Sequence, residues 1–137
     1  MRRLAALAIV AVFVVAGCKE KDKGEEDKTG DCGPAPTAAA SLPALPSAFP
    51  MPDHATITSS QKAGPSTIVE GSFEGDLDAA FEAFRDGFDA GRFTVASSEK
   101  EEDDAEVNFS GAGTSGQVKL TVPCEGRTDF AITIRPG

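Results

Sequence analysis

From residue 92 onward the chain alternates between apolar and polar positions. Residues 92–98, 105–110, 117–124 and 129–135 each carry apolar side chains on one parity. Phe93 and Val95, Val107 and Phe109, Val118, Leu120 and Val122, and Phe130, Ile132 and Ile134 then share one face, which strands of period two bury together. Thr94, Glu106, Asn108, Lys119, Thr121, Thr133 and Arg135 fall on the wet face. Cys124 has the parity of Val122, which predicts a place on the buried side. The connections 99–104, 111–116 and 125–128 are short enough for antiparallel neighbours. Upstream, residues 55–59 and 66–73 read as two further strands around the turn signal Gly64-Pro65. Between the two sets lies residues 76–90 (DLDAAFEAFRDGFDA), with Leu77, Phe81, Phe84 and Phe88 spaced four, three and four apart, the stripe of an amphipathic helix. Asp76 is placed to cap it and Asp78 suits its dipole. Gly91 is expected to end it in the left-handed conformation, and Gly87 to let it approach the sheet closely. The expected fold is α+β in two layers, an antiparallel sheet in the order ββαββββ with the helix stripe on its apolar face.

Ahead of this domain, assigned to residues 53–137, the pattern disappears. Residues 33–52 (GPAPTAAASLPALPSAFPMP) favour extended, polyproline-like backbone. They form a Pro/Ala-rich segment, 32–52 with Cys32, whose Leu42, Leu45, Phe49 and Met51 would pack as a cover if both ends were pinned. Residues 19–31 are charged and glycine-containing, the composition of a flexible tether with a root-mean-square reach of ~20 Å.

At the N-terminus Arg2 and Arg3 precede the 14-residue apolar run 4–17 (LAALAIVAVFVVAG). A spanning helix needs ~20 such residues, so the run reads as the core of a signal peptide occupying residues 1–17. It ends in Val15-Ala16-Gly17-Cys18, which resembles the lipobox of bacterial lipoproteins: an aliphatic residue, two small ones and a cysteine. The resemblance implies cleavage before Cys18, a diacylglycerol thioether on its sulfur and often an acylated amine, two or three acyl chains that together hold a protein durably on a bilayer. Residues 18–31 are then the lipidated N-terminus and tether, and the chain a lipid-anchored protein on the extracytoplasmic face of the bacterial envelope. Lys19 follows the cysteine where an Asp would resemble an inner-membrane retention signal in some two-membrane bacteria, so outer-membrane sorting is implied if the source has two membranes. The soluble part also loosely resembles small lipoprotein modules in which a proline-rich lead-in, here Phe49-Pro50-Met51-Pro52-Asp53, runs into a strand-helix-strand core; that resemblance implies fold alone.

Charge narrows the partners. The chain has 22 acids against 13 Lys and Arg, a formal charge of -9; removal of residues 1–17 takes Arg2 and Arg3 and no acid, leaving 11 against 22, or -11. Phosphate binding draws on clustered cations that release counterions, which argues against nucleic acid, and the same sign disfavours adhesion to anionic lipid. The expected partners are the membrane, through the lipid on Cys18, and an envelope protein or polymer; the expected oligomeric state is a monomer.

Three cysteines leave two once Cys18 is lipidated, and an exported chain keeps disulfides, so Cys32 and Cys124 are expected to pair. Closing a loop of roughly 90 residues is worth ~4 to 5 kcal/mol in the chain-entropy picture. A metal site built from Cys32, Cys124 and His54 is disfavoured because structural zinc wants four ligands in close pairs. The acidic run 99–104 (EKEEDD) lacks the alternating order and central glycine of a calcium loop, and 111–116 (GAGTSG) lacks the Lys-Ser or Lys-Thr and the helix of a phosphate loop. His54 is the sole histidine, without a sequence signal to orient it, and pairs such as Glu70 with Glu74 or Asp76 with Asp78 arise readily among 22 acids. Tyr and Trp, which favour sugar platforms and protein hot spots, are absent from the sequence. No catalytic residue, metal or cofactor is therefore assigned. The function expected is non-enzymatic interaction at the envelope; the alternatives are a small-ligand or divalent-cation binder, then a small hydrolase.

Overall fold

The computed structural model describes residues 30–41 and 45–137; Cys18, the leader, most of the tether and Leu42 lie outside the described residues. The described residues are mostly β, with six strands and one helix: β1 (Ala55–Ala63), β2 (Ser66–Glu74), α1 (Leu77–Ala90), β3 (Phe93–Lys100), β4 (Asp104–Gly111), β5 (Thr114–Cys124) and β6 (Arg127–Pro136). They form a single antiparallel sheet in the order β1-β2-β6-β5-β4-β3. Strands β3 to β6 are a meander, β1 and β2 a hairpin laid beside β6, and α1 carries the chain across one face from β2 to the far edge.

The alternating residues fall where the pattern puts them. Val107, Phe109, Val118, Leu120, Phe130, Ile132 and Ile134 form the core with Val69 and Phe73 from β2 and the helix residues Leu77, Ala80, Phe81, Phe84 and Phe88. Strand ends run further than the alternation. Residues 59–63 of β1 are all exposed, so no apolar parity marks them, and pairing with β2 extends the strand.

α1 begins as expected: the Ala79 amide donates to Asp76 Oδ1 at 2.8 Å. Its end differs. Gly91 is extended (φ -102°, ψ -155°) and its N–H returns to the Phe88 carbonyl. Gly87 differs too, because a Cβ there would meet Pro50 at 3.3 Å, so the close approach it permits is to the lead-in segment. That segment belongs to the core. Phe49 is buried and edge-on to Phe88, Phe93 and Phe109 at 5.4, 5.7 and 5.5 Å, while Phe88 stacks on Phe109 at 4.5 Å. Leu45 and Met51 pack beside it, the cover that a pinned segment was expected to form.

Cys124 is buried, but away from the helix side. The β5–β6 register shifts between Thr121 and Cys124, so that Cys124 faces Arg127. One additional residue in β5 turns Cys124 to the same side as Thr121 and Asp129, the face opposite α1.

Two glycines sit where strands and rings leave no room. A Cβ on Gly71 would overlap the Phe130 ring and the Thr56 carbonyl, and one on Gly116 the Phe109 ring and the Thr133 carbonyl. Gly71→Ala and Gly116→Ala are each expected to lower stability by about 1 to 3 kcal/mol, read from the urea midpoint. Unchanged midpoints would mean that the rings and the neighbouring strand carbonyls give way freely.

Candidate functional site

The sheet face that α1 leaves open is polar and internally bonded. Ser59 Oγ donates to Glu70 Oε2 at 2.8 Å, and Gln117 Nε2 donates to both Glu106 Oε2 and Asn108 Oδ1, at 3.1 and 3.3 Å. Lys119 Nζ stands 3.9 Å from Glu106 Oε1. Exposed pairs of this kind organise a surface and contribute little to stability.

Across this face runs residues 32–41, held at its start by a disulfide between Cys32 and Cys124, whose Cα atoms are 5.2 Å apart. The expected pairing is therefore present, and it turns the Pro/Ala segment into a strap. Arg127 Nη1 donates to the Pro34 carbonyl at 3.5 Å, and the Ala39 amide donates to the Ile57 carbonyl at 2.8 Å, where the strap crosses the β1 edge next to the bulge at Ile57/Ser59. Ordering nine residues, 33–41, costs about 1 kcal/mol each or more, whereas two hydrogen bonds return only about 1 to 3 kcal/mol together. The disulfide is what keeps the strap closed.

Two adjoining cavities open between strap and sheet. One of about 390 Å³ has Pro36 as a wall and Glu70, Lys119, Arg127 and Asp129 among its lining residues. The other, about 310 Å³, is lined by Cys32, His54, Glu74, Glu125 and Arg127 among others. Arg127 is common to both. Its side chain is 22% exposed, its Nε lies 3.9 Å from Asp129 Oδ1, and that nitrogen is buried without a hydrogen-bond partner among the described residues. A guanidinium cannot ligate a metal, and the unpartnered Arg127 Nε–H is a donor suited to a hydrogen-bond acceptor on a polar ligand. Arg127 escaped the sequence reading because its role comes from the β5 bulge and the strap, neither of which leaves a periodic mark.

The other candidates are placed as follows. His54, in the turn before β1, packs edge-on to Phe73 at 6.2 Å. Glu70 and Glu74 are four residues apart along β2, about 13 Å, too far to share one reacting bond. Asp76 is committed to the helix cap and Asp78 to an ion pair with Lys100, which also lies over the Phe81 ring. The acidic run is divided: Glu99 and Lys100 belong to β3, Asp104 to β4, and residues 101–103 form the tip beside the start of α1, around a cleft of about 420 Å³. No group of three or more His, Cys, Asp or Glu among the described residues is arranged to hold a metal ion. The segment 111–116 is the β4–β5 turn with parts of both strands, and Ala112 there has φ 50°. No helix among the described residues is long and apolar enough to cross a membrane. Compared with known proteins, the chain matches no family model, no curated protein and no solved structure.

Opening the disulfide by Cys32→Ser together with Cys124→Ser is expected to expose 33–41 (GPAPTAAAS) to elastase while residues 53–137 stay protected; equal digestion of both forms would show that the strap holds without it. Titration with calcium is expected to leave the thermal midpoint unmoved, where occupancy at one hundred times the dissociation constant would add ~2.7 kcal/mol.

Proposed function

We propose that this chain is a bacterial lipoprotein, processed before Cys18 and tethered through it to the extracytoplasmic face of an envelope membrane, whose domain is a non-enzymatic interaction module. The two-layer α+β description belongs to the same reading: the helix side is filled with side chains and structural, while the other face, crossed by the strap, leaves a polar groove open to a partner. The observation that carries the proposal is the Cys32–Cys124 disulfide. Such bonds persist where thiols are not kept reduced, and export to that compartment is what the leader and Val15-Ala16-Gly17-Cys18 encode by resemblance.

A small-ligand reading ranks second, and the groove around Arg127 favours it. The space between helix and sheet, the other place considered for a ligand, is occupied by Phe84, Phe88 and Phe109, each at most 2% exposed. Divalent-cation binding has no arrangement of carboxylates behind it among the described residues.

Intact mass of the membrane-extracted protein tests the anchor. The expected mass is the chain from Cys18 plus two or three acyl groups, with two thiols appearing only after reduction. Cys18→Ser is expected to release the protein from the membrane fraction; a full-length, unlipidated wild-type mass would overturn the reading.

A further inference from the structure

The antiparallel topology divides the charges between the two ends of the sheet. One end holds the start of β1, the end of β2, the start of α1, the β3–β4 tip and the β5–β6 turn. There stand Asp31, Asp53, Glu74, Asp76 and Asp78, the four acids of 101–104 and Glu125, ten carboxylates against Lys100 and Arg127. The opposite end, with the β1–β2 and β4–β5 turns, the end of α1 and the end of β6, holds Lys62, Arg92 and Arg135 against Asp89. Lys62 and Arg135 line a cleft there of about 360 Å³ together with Leu45, Pro46, Ile134 and Pro136. Lys62 has no ion pair among the described residues.

The strap joins these two ends. Cys32 is bonded at the acidic end, Pro36 lies over the open face, Ala39 is on the β1 edge, and Leu45 and Pro46 are already at the basic end, followed by Phe49 in the core. With the disulfide closed, the chain coming from Cys18 reaches the domain at Cys32. With it open, the first firm attachment is at Leu45 and Phe49, one strand length or ~30 Å away.

We propose that the Cys32–Cys124 disulfide sets the orientation of the domain on the membrane: closed, it turns the acidic end toward the lipid and offers the end with Lys62, Arg92, Arg135 and their cleft outward. This rests on the lipid anchor at Cys18. The thirteen residues 19–31 have a root-mean-square reach of ~20 Å, shorter than the ~30 Å between the two ends, so the acidic end stays near the bilayer, while screening over ~8 Å keeps repulsion by anionic headgroups short-ranged. Attachment then decides the orientation. Opened, attachment and charge act together: the basic end is both the tethered end and the end that anionic lipid attracts, and the domain inverts.

The test uses the full lipidated chain in vesicles of phosphatidylethanolamine with one third phosphatidylglycerol and a headgroup acceptor dye. The cysteine of Glu102→Cys, at the acidic end, or of Ala63→Cys, at the basic end, is labelled with a donor while the native cysteines are acylated or bonded. In the closed protein, transfer from position 102 is expected to exceed that from 63 about twofold, given the ~30 Å between the ends, and to keep that order when salt is raised. In Cys32→Ser/Cys124→Ser, the order is expected to reverse. Equal transfer from both positions, or greater transfer from 63, in the closed protein overturns the proposal whether or not the serine variant folds. An unchanged order in a serine variant whose circular dichroism is native also overturns it. Failure of the labelled wild type to float with the vesicles, with a mass lacking acyl groups, overturns instead the anchor reading on which the proposal stands.

Discussion

One fourteen-residue helix cannot cover six strands. A helix is about 10 Å across, and six strands at ~4.8 Å spacing make a face ~24 Å wide. α1 packs on β3, β4, β5 and β6, and the β1–β2 side of the same face would be left wet with Ala55 and Ile57 half-buried upon it. Leu45 and Met51 close that gap beside Ala55 and Ile57, while Phe49 fills the space at the end of α1 against β3 and β4. A proline-rich segment therefore becomes core, and Phe49, touching three other phenylalanine rings, is its wedge.

That requirement explains why the segment needs fixed ends. Its downstream end continues into β1 through the Ala55 amide, which donates to the Pro52 carbonyl at 3.1 Å. Upstream, only the disulfide holds it covalently. Proline and alanine lower the entropy lost on ordering, since Pro fixes φ and Ala has no rotamers to lose, so this composition suits a strap as well as it suits a linker.

The helix stripe, its Asp76 cap and the alternation of β4 to β6 were legible because each buries one face against one partner, which is what periodicity records. β1 beyond Ser59 was not, since residues 60–63 are exposed and are held by backbone pairing with β2. Cys124 was placed on the wrong face for a different reason: parity counting assumes an uninterrupted ladder, and a bulge between Thr121 and Cys124 reverses it. Pairing of Cys32 with Cys124 was expected once the lipobox resemblance set Cys18 aside, and needed no geometry. The groove beneath the strap depended on that bulge, so the residue at its centre, Arg127, had no signal in the sequence.

The strap starts at Asp31 and meets the domain beside Glu125 and near Glu74, at the end of the sheet where carboxylates outnumber cations five to one. Residues 32–41 carry no charge, so the domain's charges neither draw the strap in nor hold it, and Arg127 reaches it through one 3.5 Å bond to the Pro34 carbonyl. A noncovalent latch would have had few groups to grip on so small and uncharged a segment. A covalent bond needs no such grip, and by closing across the turned face of β5 it fixes the start of the strap at one end of the sheet.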